Sequence, residues 1–499
     1  MTDTVPPPQA DPARAKRWPR IPLALLAILA VAAGLRVWAF QPFSIDHPDE
    51  AFQYLEQAHR LVFGNGIIPW EYRDGIRSWL VPLLLTLPMR LGEAISPGSA
   101  LPLVLSHALF ALFSLAPVVA AWSLGARRSQ MHALLAASAV ALWFETLYYS
   151  SHVLTELLAV DCFLPAAALI QRGGYAKRLA AGGALLALAA LLRFQYGPAI
   201  AVFALVTLRF DWRAWQAVAI GGLAVLAISA WVDVAMGQLP FEWIANNIRE
   251  NWIEGRAAHF GVSGPFAYFD MLWQRWGIAM PILGLLAASM WRRYPGLVLA
   301  AAINLLVHMG IAHKEYRFIW LSVQLTVMLA AIASAEWAQA GLARQGLGRR
   351  WRAAAAAGLM LAWVALSGLL LLVDKPRWDP WAAQTRAVGA AGRQPGLCGI
   401  ATHQMGAWGY AFLRRNVPIY QPAGAGSDAS RRNLARHAAA YNVIVAPENV
   451  FWEMPDGYHV AACEEDSAER ICVFGRAGGC TPKGHEKVLL QQMLESNGY

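Results

Sequence analysis

Apolar stretches recur from residue 21 to residue 373, many of them about 18 to 22 residues long and so long enough to cross a bilayer as a helix. A chain patterned this way must satisfy its backbone hydrogen bonds inside lipid, so it folds as a helical bundle. The spans fall near 21–40, 101–124, 131–149, 153–171, 179–193, 197–208, 215–236, 267–290, 296–312, 318–336 and 353–373. Composition agrees: 57% of the residues are hydrophobic and only 15% charged, which excludes a soluble or disordered chain. The net charge of +9 does not point to nucleic acid, because the basic residues sit in short turns between apolar runs. Arg127–Arg128, 172–178, 209–213, Arg292–Arg293 and 344–352 are the basic turns, and the positive-inside rule puts them in the cytoplasm. The turns 150–152, 193–196, 237–264 and 313–317, with everything after residue 374, then face outward.

Three segments need separate treatment. Residues 1–20 combine prolines with Arg14, Lys16, Arg17 and Arg20 and read as a disordered, basic, cytoplasmic leader. The following run, 21–40, reads as an uncleaved first span. Residues 76–92 would invert every later loop if they crossed, so they read as a juxtamembrane or half-inserted helix, interrupted by Pro82 and Pro88. That gives eleven crossings, or thirteen if another short crossing is present. Residues 374–499 carry no span. Short apolar runs at 399–400, 443–446 and 471–474 alternate with helix-like stretches at 379–392 and 485–495, the pattern of a small α/β domain. Four of the five cysteines, Cys398, Cys463, Cys472 and Cys480, fall there, and in an outward-facing domain they form two disulfides with three pairings open.

The densest polar feature is HPDEAFQYLEQAH, residues 47–59, in the outer segment 41–100. Asp49, Gln53, Glu56 and Arg60 recur at helical spacing opposite Phe52, Leu55 and Val62, so the helix is expected to lie on the membrane with its apolar face down. Asp49 and Glu50 sit in its first turn, where the helix dipole favours ionised carboxylates that can accept a proton. Plain N-terminal capping by acids is the bland reading. Downstream come WEYRDGIRS, with Glu71 and Arg77, and HKEYRF, with His313, Lys314 and Arg317. Cations packed into an outer turn run against the positive-inside bias, and a lipid-borne phosphate is a reason for them. An anchoring turn is the alternative. His47, Glu71, His152, Glu156, Arg193 and Tyr196 are further candidates for substrate contact; internal ion pairing competes with that role. No Walker loop, GxSxG or HExxH is present, and no metal or cofactor is expected.

HPDEAFQYLEQAH, WEYRDGIRS and HKEYRF, in this order and spacing, resemble the family 22 glycosyltransferases over residues 20–340. The resemblance implies a polytopic α-helical GT-C fold of about 11–13 transmembrane helices, here followed by an extracytoplasmic α/β domain. It implies an inverting hexosyltransferase that moves mannose from a polyprenyl-phosphate donor to a glycan or glycolipid acceptor. The site would lie on the extracytoplasmic face. Asp49, with Glu50 adjacent, matches the family's base. The phosphate role falls on His313, Lys314 and Arg317, with Arg77. Residues 148–156 match the family pattern only at Glu156. The Ala-rich composition points to a bacterial inner membrane and an undecaprenyl-type carrier. A GT-C transferase for another sugar, acting on protein or lipid A, is the alternative enzyme. A polyprenol-sugar transporter is the non-enzymatic one; it would show inverted repeats and broken midplane spans.

Overall fold

The computed structural model describes residues 21–406, 408–422 and 427–498. The predicted leader, 1–20, lies outside them. From 23 to 374 the chain is helical throughout. Four helices are long and apolar enough to cross a membrane: Leu101–Ala126, Trp212–Ala235, Tyr316–Arg344 and Arg350–Asp374. Shorter apolar helices, among them Leu23–Trp38, Gln130–Leu142 and Pro295–Met309, fill the bundle between them. Burial ranks these helices. The apolar window of Tyr316–Arg344 is 83% buried, so it is the central post, whereas that of Arg350–Asp374 is 22% buried and faces outward. Small residues set the closest contacts. Gly183 on Ala176–Leu192 and Gly221 on Trp212–Ala235 each meet the other helix's backbone where a Cβ would collide with a carbonyl. Without a hydrophobic drive between helices in lipid, such close backbone approach supplies the packing energy.

The segment expected to be interrupted by two prolines is one helix, Leu80–Ile95. Pro82 lies in its first turn, where backbone N–H groups have no intrahelical partner to lose. Pro88 is carried inside the helix. The helix packs along Leu101–Phe113 and Glu56–Phe63.

Beyond residue 374 a five-stranded mixed sheet forms from β1 (Ile400–Thr402), β2 (Ile419–Tyr420), β3 (Val443–Pro447), β4 (His459–Glu465) and β5 (Arg470–Gly475), in the order β2-β1-β3-β5-β4. β1 is parallel to β2 and β3, while β5 is antiparallel to β3 and β4. Two disulfides resolve the three pairings, Cys398–Cys480 and Cys463–Cys472. Cys463 and Cys472 are direct cross-strand partners on β4 and β5. The first bridge closes a loop of 82 residues, and a loop that long contributes about 4 kcal/mol through the unfolded chain. Helix Ala382–Gly392 packs on β3, β4 and β5.

Candidate functional site

The helix that carries Asp49 and Glu50 does not lie on the membrane. Glu50, Gln53, Glu56 and Gln57 are all buried. Its first part, Glu50–Leu55, is a π-helix that continues as the α-helix Glu56–Phe63. The wider turn breaks the 3.6-residue period on which an amphipathic surface helix depends. Each buried acid instead has its own partners. Glu50 accepts from the Asp46 N–H at 2.7 Å and the Val153 N–H at 2.8 Å, and lies 3.0 Å from His152 Nδ1. Glu56 accepts three backbone N–H bonds, from Ile67 at 2.8 Å, Tyr410 at 2.9 Å and Ala411 at 2.8 Å. The last two start the short helix Tyr410–Leu413 of the C-terminal unit. Gly409 precedes it, and a Cβ there would collide with the Glu56 carboxylate.

Asp49 turns the other way. With His47, Glu71, Arg77, Arg193, His313, Glu315 and Arg317 it lines a cavity of about 580 Å³. The rest of the lining is mainly apolar and aromatic, including Phe52, Trp70, Trp252, Phe260 and Leu494. Asp49 Oδ2 accepts from Arg317 Nη2 at 2.7 Å, and its Oδ1 lies 3.2 Å from His47 Nδ1. Burial pulls the Asp49 carboxyl up, but His47 and Arg317 more than reverse this and hold it well below the usual range. Glu71 behaves oppositely. Burial pushes its carboxyl up to about 7, and Gln53 donates to Glu71 Oε1 at 2.7 Å.

The cations divide sharply. Arg317 is heavily engaged by acids: besides Asp49 it donates to Glu315 at 2.6 Å and lies 3.4 Å from Glu156, although its Nη1 is enclosed without a hydrogen bond to a described residue. Glu156 also pairs with Arg193 at 3.2 Å. Lys314 points away from the cavity and donates to the carbonyls of Met309, at 3.1 Å, and Ile311. Arg77 lines the cavity and its guanidinium makes no hydrogen bond or ion pair with any described residue, with Nε enclosed. His313 also faces the cavity, 2.8 Å from Glu315, whose hydrogen bond raises the imidazole above its ordinary value. Burial pulls Glu315 up, but Arg317 outweighs it and holds the carboxylate at about 2.

The structure places several of the expected site residues off the cavity lining. Glu50 and His152 form a closed pair behind the cavity wall, since the Glu50 carboxylate is saturated by backbone donors. Lys314 caps the end of the preceding helix instead of meeting a ligand. Glu156 and Tyr196 are fully buried and do not line the cavity. Glu315 was hidden in the sequence between two cations, and Leu494 carried no signal there, because it comes from the opposite end of the chain.

The family model for Alg9-like mannosyltransferases matches residues 26–373. A GPI mannosyltransferase 3 from Yarrowia lipolytica is 29% identical over 336 residues, 61% of this chain and 62% of that protein. A GPI alpha-1,2-mannosyltransferase 3 from Danio rerio is 43% identical over 63 residues, 13% of this chain and 12% of that protein. The chain therefore spans about six-tenths of the first relative and about an eighth of the second. The structure of ArnT from Cupriavidus metallidurans bound to undecaprenyl phosphate superposes with a TM-score of 0.58 at 14% identity, covering 92% of this chain and 99% of that one. At that identity the likeness is one of fold, and the fold is GT-C.

Proposed function

The chain belongs to the Alg9-like mannosyltransferase family, and from that premise we propose that it transfers mannose from a polyprenyl-phosphate carrier to a glycan or glycolipid acceptor, with inversion, at the cavity that Asp49 lines. The observation that carries this reading is the presence of two groups on the lining of one largely apolar cavity: a carboxylate held ionised, and the guanidinium of Arg77, which has Asp49, Glu71 and Glu156 near enough to favour its charge but no hydrogen bond to any described residue. An enclosed cation without a directly bonded counter-charge is costly, and an anionic ligand removes the cost. A carrier monophosphate is such a ligand, and the apolar lining suits the first prenyl units.

In this reading the acceptor hydroxyl attacks the anomeric carbon from the side opposite the phosphate. Asp49 accepts the hydroxyl proton. The bond from the anomeric carbon to the phosphate oxygen breaks, and its electron pair leaves with the polyprenyl phosphate. Arg77 and His313, both on the cavity lining, stabilise the charge that grows on that oxygen. Arg317 holds Asp49 in place. No step is routed through a metal, because the cations already oppose the charge of a monophosphate. Outer, extracytoplasmic placement of the cavity is favoured by the basic turns at the other end of the helices, and a bacterial inner membrane by the Ala-rich composition and the disulfide-bearing tail. Names among the relatives, GPI mannosyltransferase 3 for one, favour a mannose-bearing glycolipid as acceptor.

The test is incubation of the purified protein with polyprenyl-phosphate mannose and a membrane glycolipid extract, with products identified by mass. A glycolipid heavier by one hexose, absent with Asp49→Asn, is the expected result. Absence of any mannosylated product with the wild-type protein overturns the reading.

A further inference from the structure

The helix Leu490–Ser496 belongs to the C-terminal unit, yet its polar anchors lie in the outer loops of the bundle. Gln491 forms a two-way amide pair with Ile68: the Ile68 N–H donates to Oε1 at 2.8 Å, and Nε2 donates back to the Ile68 carbonyl at 3.1 Å. One turn on, Glu495 lies 3.5 Å from the Arg73 guanidinium. Just past the helix, the Gly498 carbonyl accepts from Arg256 at 2.9 Å. That same Arg256 pairs with Asp74 at 2.5 Å and stacks 3.7 Å over the ring of Trp70, a cavity residue. Between the anchors at 491 and 495, Leu494 reaches the cavity itself.

A helix needed only to bury apolar surface would not require directional bonds to both loops that bound a cavity. These bonds fix the distance of Leu494 from the opposite wall. Leu494 also enters from the unit that has no apolar span, so it stands on the side of the cavity away from the bilayer-crossing helices. A prenyl carrier arrives from those helices. The side that Leu494 closes is left for the other substrate. An aliphatic side chain there makes no hydrogen bond to a sugar. It limits bulk, and one or two methylenes in such a position discriminate by about 10- to 200-fold.

We propose that the helix Leu490–Ser496 is the acceptor-side wall of the cavity and that Leu494 is a specificity-determining residue for a glycan or glycolipid acceptor, an assignment that rests on the mannosyl-transfer reading above. The experiment uses the full chain with Leu494→Cys, purified and reacted with a water-soluble bulky maleimide; Cys162, the one free cysteine among the described residues, is buried. Three quantities are read: binding of undecaprenyl phosphate, mannosyl transfer from polyprenyl-phosphate mannose to total membrane glycolipid, and release of free mannose to water. The modified protein should transfer at least about tenfold less, through acceptor KM, with carrier binding and mannose release changed by less than about twofold. Unmodified Leu494→Gly should accept bulkier glycolipids than the wild type does. Transfer that ignores the adduct overturns the wall. So does an equal loss of undecaprenyl phosphate binding, which would place Leu494 on the carrier side, and so does a Leu494→Cys protein that never reacts with the maleimide. A wild-type control that transfers no mannose defeats the functional reading instead, and is seen before any variant is assayed.

Discussion

Asp49 and Glu50 are neighbours in the chain and opposites in their surroundings. Glu50 is closed into a pocket of backbone N–H groups and His152, with nothing left to offer a ligand. Asp49 faces a cavity of about 580 Å³ and is held by two side chains that also line it. The contrast recurs among the cations: Lys314 donates to backbone carbonyls and Arg317 to two carboxylates, whereas Arg77 makes no hydrogen bond to a described residue. Chemistry and architecture thus lie one residue apart, and what separates them is partner count, not residue type.

The sharpest way to break that division is Asp49→Asn. It should lower turnover by about 10²–10⁴ with little change in carrier binding, measured as kcat and as undecaprenyl phosphate affinity. Glu50→Ala should do the reverse. It strips a buried partner from His152 and orphans three backbone donors, those of Asp46, His47 and Val153, costing about 3–5 kcal/mol in stability, read as a lower Tm in detergent; the surviving folded enzyme should turn over normally. A kinetic defect at Glu50 without loss of stability would erase the distinction. Arg77→Ala should raise the donor KM by about 10- to 150-fold, the worth of one charge-assisted contact of about 1.5–3 kcal/mol. It should leave Tm unchanged or somewhat lower, because Asp49, Glu71 and Glu156 lose a neighbouring cation that offsets their charge. Glu71 gives a pH test. Its carboxyl titrates at about 7 when folded against 4.5 as the ordinary value. The folded state therefore holds the extra proton, and stability should fall as pH rises from about 4.5 through 7. Glu71→Gln should flatten that fall in a Tm-versus-pH series. Smallest of all, Lys314→Met should alter the donor KM by less than about threefold, since the ammonium meets only helix-end carbonyls.

Much of this was legible in the sequence, and the failures have one cause. Apolar runs announce helices because lipid leaves the backbone no other way to pair, so the bundle and its unspanned C-terminal unit were readable. Asp49 and Arg77 could be singled out because acids and cations gathered in one segment between apolar helices need a reason. What periodicity could not supply was the partner. Glu56 reads as the polar face of a surface helix until Tyr410 and Ala411 are seen donating to it. Lys314 reads as a phosphate ligand until the carbonyls of Met309 and Ile311 take its protons. The π-turn at Glu50–Leu55 shifted the faces further, and no residue pattern marks it.

The clasp of Glu56 on Tyr410 and Ala411 has a consequence for biosynthesis. The acceptors on Glu56 are made before their donors, and 354 residues of chain separate Glu56 from Tyr410. Gln491 follows Ile68 by 423 residues. At about 5–20 residues per second, the ribosome needs roughly 20 to 80 seconds to cover either gap. The Asp49 helix is thus among the first segments to be made and among the last to be completed. Until the C-terminal unit has folded, Glu56 lacks two of its three donors and the cavity lacks the side chain of Leu494. A nascent or truncated chain would then expose an unassembled site, and the finished enzyme would become competent in a single late step.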